Sequence, residues 1–103
     1  MSGEKHILLV DDEVEIVDFM EKFLRRFKIG STKVLSGEDA LRVYDKDKID
    51  FVFLDINLGG INGFAVMREM KKVNPDVKVF IIAGSSDEDS RKEARELGVT
   101  ALQ

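Results

Sequence analysis

The 103-residue chain contains no cysteine, one histidine, one proline and no apolar run long enough to cross a bilayer. Without cysteine there is neither a disulfide framework nor a thiolate metal site. A membrane helix needs roughly 20 consecutive apolar residues, and the amino-terminal stretch MSGEKHILLVDDE reaches its acids before a signal-peptide core can form. The expectation is a soluble, cytoplasmic protein without a membrane partner. Basic charge is also short, with 16 Lys and Arg against 20 Asp and Glu and a net charge of −4. Binding a phosphate backbone requires a basic face that displaces counterions, so nucleic acid is not expected as a partner of this domain. Internal repeats, linkers and low-complexity tracts are missing as well. Residues 1–103 therefore read as a single domain, and a composition 44% hydrophobic and 35% charged supports one modest core.

The apolar residues that are present come in short runs separated by helical patterns. HILLV (6–10) is followed by EVEIVDFMEKFLRRF, which sets Ile16, Val17, Met20, Phe23, Leu24 and Phe27 at helical spacing. After the polar stop near Gly30 come TKVL and then Ser36 with Asp39 three residues on, the pattern of a capping box opening a helix through Ala40, Leu41, Val43 and Tyr44. FVFL (51–54) predicts a third strand, and Phe64, Met67 and Met70 recur along a helix that stops before Asn74 and Pro75. VKVFIIAG (77–84) predicts a fourth strand; SSDEDSRKEAREL predicts a helix ended by Gly98, and VTAL starts a fifth strand. Continuous apolar strands alternating with helices imply a parallel sheet covered on both faces, with right-handed crossovers.

In such a sheet, ligands bind beyond the carboxyl ends of the strands, where the strand order reverses. The first strand ends in Asp11, Asp12 and Glu13, the third in Asp55 with Asn57 close behind, and the fourth in Ala83, Gly84, Ser85 and Ser86. If strands one and three are neighbours, at least three carboxylates converge. Their mutual repulsion is relieved by a cation or by raised pKa values, and an all-oxygen donor set suits Mg2+ or Mn2+ rather than zinc or copper. A carboxylate beside such an ion can attack a phosphoryl group and form an acyl phosphate, and Asp55 is the candidate nucleophile. The structural alternative is that Asp11 or Asp12 merely caps the first helix.

The segments ILLVDDE, FVFLDINLGGINGF and KVFIIAGSSDEDSRKEARELGV, in that order and spacing, resemble the receiver domain of two-component response regulators over nearly the whole chain. The resemblance implies a flavodoxin-like, doubly wound parallel sheet of order 2-1-3-4 with a possible fifth strand, truncated after the fourth helix. It implies that Asp55 is the phospho-acceptor, that Asp12 ligates Mg2+ directly and Asp11 through water, and that Asn57 supplies its backbone carbonyl. The donor would be a histidine kinase or phosphotransfer protein, or a small acyl phosphate, with the receiver catalysing its own modification rather than turning over a substrate.

The chain departs from the family pattern in several places. A Thr or Ser is usual where Ala83 stands, and alanine offers no hydroxyl to a phosphoryl group. The strand-five lysine of the family lies beyond Gln103, its aromatic switch residue aligns with Leu102, and Gly59 replaces its loop proline. Without the fifth helix, apolar surface over strands one and three would be bare, predicting a homodimer, a segment swap, or a fragment of a longer protein. These departures favour a rival reading, a pseudo-receiver that keeps the acidic pocket but serves as an interaction or oligomerisation module. A metal-dependent phosphatase fits less well, because Asn57 stands where such enzymes need a second aspartate as general acid.

Other signals carry less. Gly60 and Gly63 lack the full dinucleotide fingerprint and read as turn glycines. His6 reads as a surface residue on the side away from the acids, the Phe and Met stripes of the first and third helices as core, and the mixed charges of 87–96 as a solvated helix face.

Overall fold

Apolar runs form the parallel strands β1 (His6–Val10), β3 (Phe51–Asp55) and β4 (Val79–Ile82), with the more polar β2 (Gly30–Val34, GSTKV) on one side and β5 (Thr100–Leu102) on the other. Among the described residues, three helices lie between them: α1 (Val14–Arg25), α2 (Gly37–Val43) and α3 (Gly63–Val73). The structure, a computed structural model, describes residues 5–56, 58, 62–82 and 100–102. The expected helix over 85–97 with its Gly98 stop, the charges of 87–96, and Asn57, Gly59, Gly60, Ala83, Gly84, Ser85 and Ser86 lie outside the described residues. The sheet order is β2-β1-β3-β4-β5 and every described pairing is parallel, as the resemblance implied. Among the described residues, no helix is long and apolar enough to cross a membrane.

β1 is buried on both faces, and β3 on one with Phe51 and Phe53 half-buried on the other, which is why both read as apolar runs. Successive side chains alternate between faces: Leu8 and Val10 join Val52, Leu54, Val66, Met67, Met70 and Ile81 under α2 and α3, whereas Ile7 and Leu9 join Val17 and Leu24 under α1. The Ser36 cap forms as expected, its hydroxyl accepting from Asp39 N at 3.1 Å. His6 is not a plain surface residue; it opens β1, is half-buried, and sets Nε2 2.7 Å from Thr32 Oγ1 at the end of the sheet away from the acids.

The stripe on α3 is core, but that on α1 is core only in part. Val17 and Leu24 are buried and Met20 is half-buried, whereas Ile16, Phe23 and Phe27 are exposed, together with Phe19. The cause is placement. α1 packs on β1 and β2, and Lys33 of β2 ties down its polar flank through Asp18 at 2.8 Å and Glu21 at 3.1 Å. The opposite flank borders the part of the sheet carrying Phe51, Phe53 and Phe80, whose rings contact one another at 5.5 and 5.7 Å. A groove of about 390 Å³ lined by Ile7, Leu24, Ile29 and these three phenylalanines lies there.

α1 ends by folding back on itself. Lys28 N donates to Arg25 O and Ile29 N to Leu24 O, the paired bonds of a Schellman closure, with Lys28 at φ 60°. A lysine in this left-handed conformation costs about 1 kcal/mol relative to glycine. Lys28→Gly is therefore expected to stabilise the fold by up to about 1 kcal/mol, read as a higher denaturant midpoint; an unchanged or lower midpoint would show that the strain is already relieved.

Candidate functional site

The strand register builds the site. Val10 of β1 is level with Leu54 of β3, so the next residues, Asp11 and Asp55, leave neighbouring strands side by side. Asp11, Asp12 and Asp55 each offer a carboxylate oxygen within 4.8 Å of the others, the one such group of three potential metal ligands among the described residues. Asp11 is 6% exposed, Asp55 is half-buried and Asp12 is open to solvent.

Helix capping does not account for these acids. The N-cap of α1 is Glu13, which makes no side-chain cap bond. Asp11 instead accepts the Glu13 backbone N–H at Oδ1, 2.9 Å, while its own N–H donates to Val34 O at 3.3 Å and ties the pocket to β2. Burial pushes the Asp11 carboxyl above its ordinary pKa; the Glu13 N–H opposes this, and the charges of Asp55, Asp12 and Glu13 reinforce it. A buried acid among like charges favours a cation beside it, and the carboxylate oxygens of Asp11, Asp12 and Asp55 are the donors that suit a hard divalent one.

Ile56 and Leu58 are buried. α3 starts at Asn62, whose side chain accepts from Phe64 N at 2.7 Å. Gly63, the first helical residue, lies so close to the strand exit that a Cβ there would meet Ile56 Cα at 2.7 Å and the Asp55 carbonyl oxygen at 2.8 Å. Gly63 is thus a close-approach glycine that fixes the main chain of the candidate nucleophile, rather than a turn glycine as its sequence context implied. Any part played by Asn57 falls outside the described residues.

The family model of the response regulator receiver domain matches residues 7–102. The chain belongs to that family. This receiver domain is 31% identical over 93 residues to the response regulator SaeR of Staphylococcus aureus, an alignment covering 90% of the chain and 40% of that protein. It thus spans about two fifths of the length of that relative. Among solved structures it is similar to response regulator TrrA of Thermotoga maritima in complex with Mg2+-BeF, with 28% identity and a TM-score of 0.83, covering 96% of this chain and 86% of that one. A receiver domain from Clostridium thermocellum superposes with a TM-score of 0.87 at 26% identity, over 94% of this receiver and 81% of that chain. Membership gives the three carboxylates a setting in two-component signalling.

Proposed function

We propose that this receiver domain accepts a phosphoryl group on Asp55, with Mg2+ or Mn2+ held by Asp11, Asp12 and the backbone carbonyl of Asn57. The observation that carries the reading is the convergence of three carboxylates at the ends of two adjacent strands. The Mg2+-BeF complex of the TrrA relative supports it. The cation, when bound, would offset the negative charge of the acids and of the incoming phosphoryl oxygens. Asp11 and Asp12 hold charge in place for it, and the fixed main chain at Asp55 orients one carboxylate oxygen toward phosphorus. That oxygen forms the new bond to phosphorus as the donor bond breaks, and the electron pair leaves with the imidazole of a phosphohistidine or the carboxylate of an acyl phosphate. The donor protein is a histidine kinase or phosphotransfer protein, and the exchange takes place in the cytoplasm without nucleic acid or membrane contact by this domain.

The test is intact mass after incubation with acetyl phosphate and Mg2+. One phosphoryl adduct is expected, absent in Asp55→Asn and absent with EDTA. Mg2+ binding with no adduct would replace this reading by the pseudo-receiver, an interaction module, which the lack of a hydroxyl at Ala83 favours.

A further inference from the structure

α1 begins at Glu13 without a side-chain cap bond, so its direction beside the acidic pocket is set by whatever holds the body of the helix. On the β2 side those holds are Val17, buried against Leu9, and Asp18, bridged to Lys33. Lys33 is level with Leu9 in the register of β1 and β2, and it therefore leaves the sheet on the face that α1 covers. Its side chain is 33% exposed, with Nζ 2.8 Å from Asp18 Oδ1 and 3.1 Å from Glu21 Oε1. The two acids are three residues apart and share one side of α1. One ammonium thus fastens the helix at two points, which fixes its rotation as well as its distance from the strand.

The residue after Lys33 holds the pocket directly. Val34 O accepts the Asp11 N–H at 3.3 Å, Asp11 Oδ1 accepts the Glu13 N–H at 2.9 Å, and Glu13 O accepts from Ile16 N and Val17 N in the first turn of α1. The main chain from Asp11 to Glu13 is consequently held by β2 at one end and by α1 at the other. A displacement of α1 moves Glu13, and through the Glu13 N–H it moves the Asp11 carboxylate.

We infer that Lys33 is a positioning residue for the acidic pocket: by clamping α1 to β2 through Asp18 and Glu21, it sets the Asp11–Glu13 turn and with it the carboxylates that would hold the cation. Lys33 itself touches neither cation nor phosphoryl group. The cation part rests on the function proposed above, whereas the setting of the turn does not. Charge alone predicts the reverse, because removing an ammonium from the neighbourhood of the acids leaves the pocket more negative and tightens a divalent cation. Placement predicts weaker binding, since ligands held off their geometry lose affinity.

Two variants with opposite changes in charge separate these effects. Lys33→Met removes one positive charge, and Asp18→Asn with Glu21→Gln removes two negative ones; both break the bridge. Each is expected to weaken Mg2+ binding about three- to tenfold in titration calorimetry of the folded chain, less than the loss of a group bonded directly to a ligand. Lys33→Arg, which can still reach both carboxylates, is expected to restore the parent affinity. In the metal-free chain, amide exchange at Asp11 and Glu13 should quicken about tenfold in both bridge-breaking variants while the amides of β3 stay as they are. Tighter Mg2+ binding in Lys33→Met, a loss that Lys33→Arg shares, or unchanged exchange at those two amides would overturn the inference. Exchange that rises equally in β3 would overturn it too, by making the bridge a general stabiliser. A parent chain that binds no Mg2+ would remove the cation reading instead, and exchange at Asp11 and Glu13 would then decide the clamp by itself.

Discussion

Gly63→Ala is expected to lower stability by about 2–4 kcal/mol and to weaken Mg2+ binding about tenfold or more, although it adds one methyl outside the cluster of acids. The new Cβ would lie 2.7 Å from Ile56 Cα and 2.8 Å from the Asp55 carbonyl oxygen. Both obstacles are main chain, so no rotamer change makes room. Either α3 backs away from the sheet or the Asp55–Ile56 peptide moves. The first choice loosens Phe64, Val66, Met67 and Met70, all buried against the sheet. The second shifts the candidate nucleophile relative to Asp11. Denaturant midpoints and Mg2+ titrations of the variant separate these outcomes, and a variant matching the parent in both would show that the helix start is not closely packed on the strand exit.

Asp11→Asn is expected to act in opposite directions with and without the cation. Without Mg2+ the variant should be more stable at neutral pH by about 1 kcal/mol, because a neutral amide avoids the cost of burying a charge near Asp55, Asp12 and Glu13. The amide oxygen can still accept the Glu13 N–H that Asp11 now accepts. The sign with pH follows from the raised pKa. The folded state of the parent holds this proton more tightly than the unfolded chain, so stability falls as pH rises from about 4 through the folded-state value and the full cost persists above it. The advantage of the variant should therefore vanish at low pH. With Mg2+ the order reverses: a ligand at 100 times its dissociation constant stabilises by about 2.7 kcal/mol, and the variant forgoes most of that. Melting temperature against Mg2+ concentration for the two proteins should cross. Curves that stay parallel would remove Asp11 from the cation site.

Much of this arrangement was legible because the strands at the middle of a parallel sheet are enclosed by their neighbours and by helices, so β1 and β3 read as apolar runs and the end of each is marked by the first charge. Asp11 and Asp55 stand immediately after HILLV and FVFL, and register did the rest. What stayed hidden depends on distances that a one-dimensional pattern does not carry. Helical spacing showed that α1 has an apolar side, but not that its neighbours β1 and β2 occupy only the part around Val17 and Leu24. Gly59, Gly60 and Gly63 look alike in sequence, yet the need for glycine at Gly63 comes from a contact seven and eight positions back. Lys28 gave no sign of its left-handed backbone, since lysine is not the residue a helix terminus usually recruits there.

The Lys33 bridge has a meaning beyond holding one flank of α1. β2 is the outermost strand on its side of the described sheet, so the hydrogen-bonding groups along its far edge are a template on which another strand could add. A charged side chain fourth in a five-residue strand, leaning back to Asp18 and Glu21, makes that edge a poor substrate for sheet extension. That edge of the sheet is thereby guarded against fibril-like stacking, by a side chain that also holds a helix in place.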